Sequence, residues 1–357
     1  MTSIRREREK IHRMLLPKSV IVGEDIIRQL DEVISEVCDC KGYLLISGPN
    51  VYRKLKRRLD RTFLSRVREV FLVMDATKRT VEGIAKQMRV EEGVAIVGLG
   101  GGKSIDVAKT LAYEKRADFI SVPTSASHDG ISSPLASIKD DERKVPYSVM
   151  TKPPLQVIVD VDVVAGAPHR LIASGVGDAL AKLTAVMDWK LASERIGEYY
   201  GEYAAALARM GAELVLRIAE GIGKGDKESI RTLVEALISD GVAAGIAGSS
   251  RPCSGSEHLF SHALDMYSTQ HALHGEQCGV GTIIMSYLHE LDSEVIRESL
   301  EKAKAPVDEK TLGISRENLV RALLLAKKVR PDRYTICLLY TSPSPRDLST
   351  SRMPSSA

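Results

Sequence analysis

Short apolar runs alternate with amphipathic stretches through the first half of this 357-residue chain. That alternation constrains the fold more than any other feature. Runs that read as buried strands lie at 19–22, 43–47, 69–74, 94–97, 118–122 and 156–160, and helical spacing falls between them at 25–37, 51–61 and 80–89. Strand–helix alternation at this interval predicts a parallel sheet covered by helices on both faces. Such sheets bind ligands beyond the carboxyl ends of their strands, beside helix N-termini. The loops at those ends are therefore the first place to look for chemistry.

The fourth run leads into Gly98-Leu99-Gly100-Gly101-Gly102-Lys103-Ser104-Ile105-Asp106. Glycines let backbone N–H groups approach a phosphate, and the helix that follows adds its dipole. A P-loop would need glycine at position 97, where valine stands. A dinucleotide motif counted from Gly98 would need glycine at position 103, where lysine stands. The loop reads as a phosphate cradle of another kind. The next loop, Pro123-Thr124-Ser125-Ala126-Ser127-His128-Asp129-Gly130-Ile131-Ser132-Ser133-Pro134, is dense in hydroxyls. It can hydrogen-bond a nicotinamide amide, a ribose or a substrate hydroxyl, with His128 and Asp129 available to polar substrate atoms. Asp75, ending the third run, is a weaker candidate for a ribose or adenine contact.

Residues 139–145 read as the charged tip of a β-hairpin. Pro153-Pro154 and the change of pattern beyond Ala165 mark a boundary. The apolar period then becomes helical, over 170–192, 197–221, 227–247, 255–267, 276–291 and 316–328. The expected organisation is a dinucleotide-binding α/β domain at 1–164 and a helical metal- and substrate-binding domain at 165–336. Residues 337–357 are Ser/Pro-rich, without helical period, and read as a disordered, non-native tail.

The metal argument rests on histidines. Four of the eight fall between His258 and His274, the others being His262 and His271. His258 and His262 are four apart and share a helix face. A catalytic zinc typically takes three protein ligands of histidine and carboxylate type. Asp178, directly after a glycine in Ser174-Gly175-Val176-Gly177-Asp178, would supply the carboxylate beside two histidines; spacing alone selects His258 and His262. The five cysteines match no zinc ribbon or secreted disulfide framework and are expected as reduced thiols. The net charge of +3, from 50 basic and 47 acidic residues, gives no general argument for nucleic acid or membrane partners. The first ten residues have no apolar core of a secretory signal, so a cytoplasmic protein is expected.

Together the GGGKSIDVAK and PTSASHDGISSP loops, the SGVGDALAK helix and the SSRPCSGSEHLFSHALD segment resemble the archaeal-type sn-glycerol-1-phosphate dehydrogenases. These belong to the superfamily of iron-containing alcohol dehydrogenase, glycerol dehydrogenase and 3-dehydroquinate synthase. The resemblance runs from near residue 15 to about Ile336. It implies a dehydroquinate synthase-like fold: a Rossmann-like α/β domain followed by an all-α metal-binding domain. It implies Zn2+, one per subunit, on Asp178, His258 and His274, which moves His262 from the metal to the substrate. Asp129 and Asp178 match further substrate contacts, with Asp178, His258, His262 and His274 forming the catalytic set. Gly102, Lys103, Ser104, Ile105, Asp106, Thr124, Ser125, Ala126, Ser127 and Ser133 match the NAD or NADP site.

The implied reaction is reduction of dihydroxyacetone phosphate to sn-glycerol 1-phosphate, a backbone of archaeal membrane phospholipids, by a homo-oligomer (dimer or larger). Arg251, just before the histidine helix, is a candidate for a phosphate contact, with an interdomain salt bridge as the alternative. Other readings are a glycerol dehydrogenase acting on unphosphorylated glycerol, a lyase related to dehydroquinate synthase, and a structural metal protein. The glycine and serine loops argue against the last, because a structural zinc site has no use for a dinucleotide cradle.

Overall fold

The computed structural model describes residues 12–141 and 146–341. Six strands, β1 (Ser19–Gly23), β2 (Gly42–Ser47), β3 (Val67–Leu72), β4 (Val94–Gly100), β5 (Phe119–Pro123) and β8 (Gln156–Asp160), form one sheet in the order β1-β8-β5-β4-β2-β3. All its pairings are parallel. β2, β4 and β8 are buried throughout, as expected where helices cover both faces. The sheet side carries α1 (Leu30–Ser35), α2 (Pro49–Leu55), α3 (Arg61–Arg66), α4 (Lys78–Gln87) and α5 (Gly102–Lys115). One apolar cluster gathers Leu30, Phe63 and Leu45, and another gathers Ile105, Leu111 and Ile46. β6 (Leu135–Lys139) and β7 (Pro146–Met150) pair antiparallel. They are the expected hairpin, whose tip at 142–145 lies outside the described residues.

The helical half follows β8: α6 (Val161–Ala165), α7 (His169–Leu180), α8 (Lys182–Ile196), α9 (Glu202–Lys224), α10 (Lys227–Ala247), α11 (Ser256–Tyr267), α12 (His274–Leu288), α13 (Ser293–Lys302), α14 (Glu309–Leu312), α15 (Arg316–Val329) and α16 (Cys337–Thr341). Among the described residues no helix is long and apolar enough to cross a membrane.

The element pattern matches the sequence reading, with local corrections. The helix expected over 25–37 is a 3-10 turn at Ile26–Gln29 followed by α1. That over 51–61 ends at Leu55, and α3 restarts behind Asp60, whose carboxylate accepts from Thr62 N–H at 2.7 Å. The strand expected over 69–74 lies two residues earlier. α7 and α8 interrupt the helix expected over 170–192, but Ala181 between them keeps right-handed helical angles, so Lys182 stays one turn beyond Asp178. The helix α13 had no counterpart in the sequence reading.

Two expectations fail. Cys38 and Cys40 are not free thiols; they form a disulfide across a Cα–Cα distance of 5.2 Å, within the span a disulfide requires. The irregular tail does not begin at residue 337. Asp188 Oδ1 accepts from Ile336 N–H at 2.6 Å, and Cys337, 1 % exposed, starts α16 against the cluster containing Met285 and Leu264. Residues 342–357 lie outside the described residues.

The crossing of α7 and α12 sets the distance between the elements that carry Asp178 and His274. It depends on missing side chains. A Cβ on Gly177 would stand 2.1 Å from Gly275 O, and one on Gly275 would stand 1.9 Å from Ser174 O. Gly177→Ala is therefore expected to lower stability by about 1–3 kcal/mol despite alanine's better helix propensity, since overpacking forces backbone shifts. Thermal unfolding checks this; an unchanged Tm would show that the crossing has slack.

Candidate active site

Three imidazoles and one carboxylate meet at the crossing of α7, α11 and α12. Asp178 Oδ1 lies 3.6 Å from His258 Nε2 and 3.9 Å from His274 Nε2. These separations exceed hydrogen-bond length. They approach the edges of a tetrahedron whose corners lie ~2.0–2.2 Å from one shared centre, which are roughly 3.3–3.6 Å. The rings are already turned for this. Glu257 Oε1 lies 2.8 Å from His258 Nδ1, and Ser261 Oγ lies 3.1 Å from His274 Nδ1. Ser261 donates its own proton to Gln277 Oε1 at 2.7 Å, so toward His274 its oxygen accepts. With both Nδ1 atoms engaged, it is the two Nε2 atoms that are left on the side of Asp178 Oδ1. A carboxylate or hydroxyl behind a ligating histidine is the usual way to fix tautomer and orientation. Glu257 is itself held by Gly255 N–H at 2.6 Å and the Thr184 hydroxyl at 2.7 Å. The donor set fits a divalent ion.

His262 lies beside this group and not within it. Its ring stacks on His274 with centroids 5.7 Å apart, and its buried Nδ1 has no hydrogen-bond partner among the described residues. Burial, then the charges of His274, His258, Arg330 and Arg333, holds it well below the usual imidazole range. Spacing alone had paired His258 with His262; the geometry favours His258 with His274. His271 stays outside, at 3.9 Å from Asp265 and half exposed.

Lys182 was missed in the sequence. Its ammonium is wholly buried, 2.9 Å from Asp178 Oδ2 and 2.9 Å from Asp129 Oδ2, and Asp129 N–H also donates to Asp178 Oδ2 at 3.0 Å. Burial disfavours a charged lysine, but the two carboxylates outweigh it and raise Lys182 well above its usual range. Burial likewise pushes Asp178 up, and Lys182 with the two imidazoles drives it well below. Asp178 thus keeps Oδ1 for the imidazole side while Oδ2 is tied down. The available signal was the i, i+4 spacing of Asp178 and Lys182. Cys278 was also missed: it sits one turn beyond His274, 3.6 Å from His274 Nε2. Burial raises its thiol, but His258 and His274 outweigh burial and bring it down to about 7.

The glycine loop and the serine loop meet where β4 and β5 end. Gly101 caps α5 without any side-chain hydrogen bond to the first turn, so the amides there face outward. A Cβ on Gly102 would stand 2.0 Å from His128 Nε2; His128 Nδ1 accepts from Gly130 N–H at 2.9 Å. Ser125 Oγ, buried and without a partner among the described residues, lies 3.4 Å from where Gly101 would carry a Cβ. Glycine amides and a free hydroxyl therefore converge, as a dinucleotide phosphate requires.

Other expected contacts are turned elsewhere. Ile105 and Ala126 are core residues whose side chains have no access to a ligand. Ser133 Oγ donates to Leu135 O at 3.2 Å. Asp106 is buried 3.9 Å from Lys109. Lys103 is exposed and reaches Met74 O at 3.4 Å. Asp75 accepts from the hydroxyls of Thr77 and Thr80 at 3.1 and 2.5 Å. It lines a surface hollow of about 480 Å³ beyond β3, at the far edge of the sheet from the histidines. For Arg251 the salt-bridge alternative is the one observed. Arg251 is 5 % exposed, forms a two-pronged pair with Glu198 and donates to Tyr334 O at 2.9 Å, so its guanidinium is engaged before any phosphate arrives.

A parallel sheet followed by a helical half is the fold class that solved glycerol dehydrogenase structures represent. The family model described as "Iron-containing alcohol dehydrogenase" matches residues 21–168. Glycerol dehydrogenase from Schizosaccharomyces pombe shares the fold with a TM-score of 0.75 at 20 % identity, over 91 % of this chain and 85 % of that one. Within that class, glycerol-1-phosphate dehydrogenase (NAD(P)+) of Hyperthermus butylicus is 47 % identical over 328 residues, 91 % of this chain and 93 % of its own. That of Thermococcus kodakarensis is 46 % identical over 330 residues, 92 % and 93 %. The chain belongs to the glycerol-1-phosphate dehydrogenase family.

Two outcomes test this geometry. His258→Ala should lose bound metal and activity together, whereas His262→Ala should keep metal and lose turnover, read by metal content on both purified variants. Equal loss from both would restore the His258–His262 pair. Lys182→Met leaves two buried carboxylates facing each other and should lower unfolding stability by about 3–5 kcal/mol; a denaturant midpoint equal to wild type would deny the bridge.

Proposed function

We propose that this protein reduces dihydroxyacetone phosphate to sn-glycerol 1-phosphate with NADH or NADPH, on a zinc site formed by Asp178, His258 and His274. The observation that carries the reading is the convergence of two Nε2 atoms on Asp178 Oδ1 at 3.6 and 3.9 Å. The names and close identity of the relatives from Hyperthermus butylicus and Thermococcus kodakarensis supply the substrate. When bound, the ion supplies Lewis acidity and the dinucleotide supplies hydride.

The residues of the chain do the rest. Glu257 and Ser261 hold the imidazole tautomers. Lys182 fixes Asp129, about a fifth exposed, so that its free oxygen can accept from a substrate hydroxyl. His262, with an unengaged Nδ1, holds or passes the proton that the product oxygen requires. The glycine and serine loops receive the dinucleotide: backbone amides at Gly102 and Lys103 and the Ser125 hydroxyl take its phosphates, while Ile105, Asp106, Ala126 and Ser133 shape the loops from behind.

With Arg251 engaged by Glu198, the substrate's phosphate needs another cation. Arg330 and Arg333 are the arginines that bear on His262. Arg333 is 7 % exposed and donates to Ser250 Oγ at 2.7 Å, with no carboxylate within ion-pair distance among the described residues. Burial and the neighbouring Arg330 and Arg251 lower it to about 9, so it stays charged at neutral pH. A buried guanidinium that meets only a hydroxyl and the Ser254 carbonyl among the described residues, with no carboxylate of its own, favours an anionic ligand. The expected homo-oligomer has an apolar face to use: Tyr203, Met210 and Leu214 on α9, with Ile196 and Tyr199 before it, are exposed, a pattern suited to a second copy of the chain.

The test follows NADH and NADPH oxidation with dihydroxyacetone phosphate and with dihydroxyacetone, before and after chelation, and assigns the product's chirality. Activity is expected only with the phosphorylated substrate and only with metal. Arg330→Gln should raise the KM for dihydroxyacetone phosphate by about tenfold or more, the loss of one charge-assisted hydrogen bond. Turnover of glycerol with none of dihydroxyacetone phosphate would make the protein a glycerol dehydrogenase instead.

A further inference from the structure

We propose that Lys109 is a positioning residue for the reaction: its ammonium fixes the backbone that follows Asp129, and so sets where that carboxylate meets the substrate relative to the dinucleotide. The inference rests on the substrate role proposed above for Asp129 and assigns a group that holds it in place.

Lys109 is 1 % exposed and lies about two turns along α5 from Gly102. Its ammonium donates to Gly130 O and to Leu135 O, both at 2.6 Å. These carbonyls stand near the two ends of the segment that follows Asp129. Asp106 Oδ1 is 3.9 Å away, beyond hydrogen-bond length, and has no hydrogen-bond partner among the described residues. The short bonds of this lysine therefore go to backbone and not to a carboxylate.

Burial lowers Lys109 below the usual lysine range, while Asp106 and then Asp129 pull it back up. An ammonium buried on such terms costs stability against an apolar side chain of similar volume. Stability alone gives no reason for lysine here. A fixed place for two carbonyls does.

Asp129 is held from two sides. It opens a single 3-10 turn, Asp129–Ile131. Its side chain meets Lys182 and its amide donates to Asp178, which tie it to the helical half. Ser132 Oγ adds a tie to the same half, donating to Ile238 O at 2.9 Å on α10. Lys109 supplies the opposing tie, from the helix whose first turn carries the glycine cradle. The dinucleotide end of the loop has its own anchor, because Thr124 N–H donates to Gly100 O at 3.0 Å. Loss of Lys109 should therefore free the substrate end of the loop and leave the dinucleotide end where it is.

That division is measurable. In Lys109→Met the KM for dihydroxyacetone phosphate is expected to rise about tenfold or more. Bound metal, and NADH affinity read by fluorescence without substrate, should match wild type. Thermal unfolding checks the fold. Should Lys109→Met fail to fold, Lys109→Gln is read by the same measurements; its amide is too short to reach both carbonyls, so the same split is expected. A wild-type KM in a folded variant overturns the inference and leaves Asp129 as a substrate contact. A loss of NADH affinity in step with the rise in KM also overturns it, since general loosening of the fold would do that. No reduction of dihydroxyacetone phosphate by wild type overturns the proposed function and this inference together.

Discussion

One buried ammonium holds the reaction centre together. Lys182 lies between Asp178, on the helix that supplies the metal cluster, and Asp129, on the loop that follows β5. A charge with no solvent access is tolerable only where it is paired and hydrogen-bonded. The two carboxylates meet that condition and are met by it. Without Lys182, Asp129 and Asp178 would repel at close range, which would loosen the hold of the loop after β5 on α7. Because the amide of Asp129 also donates to Asp178, backbone as well as side chain joins the sheet half to the helical half.

Close packing completes what that charge begins. Gly177 and Gly275 let α7 and α12 approach until backbone meets backbone, and this brings His274 to Asp178. The imidazoles are held from behind by Glu257 and by Ser261, which Gln277 holds in turn. Rigid support of this kind keeps donor separations near those of a bound ion, so that little reorganisation is needed when the metal enters. On the sheet side, Gly102 has no Cβ because His128 occupies that space, and Ser125 keeps a free hydroxyl beside Gly101.

Much of this was legible in the chain. Apolar runs separated by amphipathic stretches announce a parallel sheet because buried strands and covering helices demand different periods. A glycine cluster between a strand and a helix points to a close backbone approach at a helix N-terminus, because a Cβ there would block it. The two readings of Arg251 stayed open for a physical reason: its partner Glu198 is 53 residues away in sequence, and no local pattern shows a charge neutralised at that distance. The helix boundary at Asp60 was missed because its cap competes with an apolar period that runs past it.

By itself, then, the sequence determined which elements form, which loops carry glycine and hydroxyl groups, and, through resemblance, which aspartate and histidines are the candidates for a metal site. Each of these is local or rests on shared motifs. Tertiary structure alone decided how the donors assemble: that His258 Nε2 and His274 Nε2 face one oxygen of Asp178 while His262 stands aside, and that Lys182 bridges two carboxylates. Those facts depend on how α7, α11 and α12 cross. Helix crossing is set by the summed packing of residues far apart in the chain, which spacing along the chain does not encode.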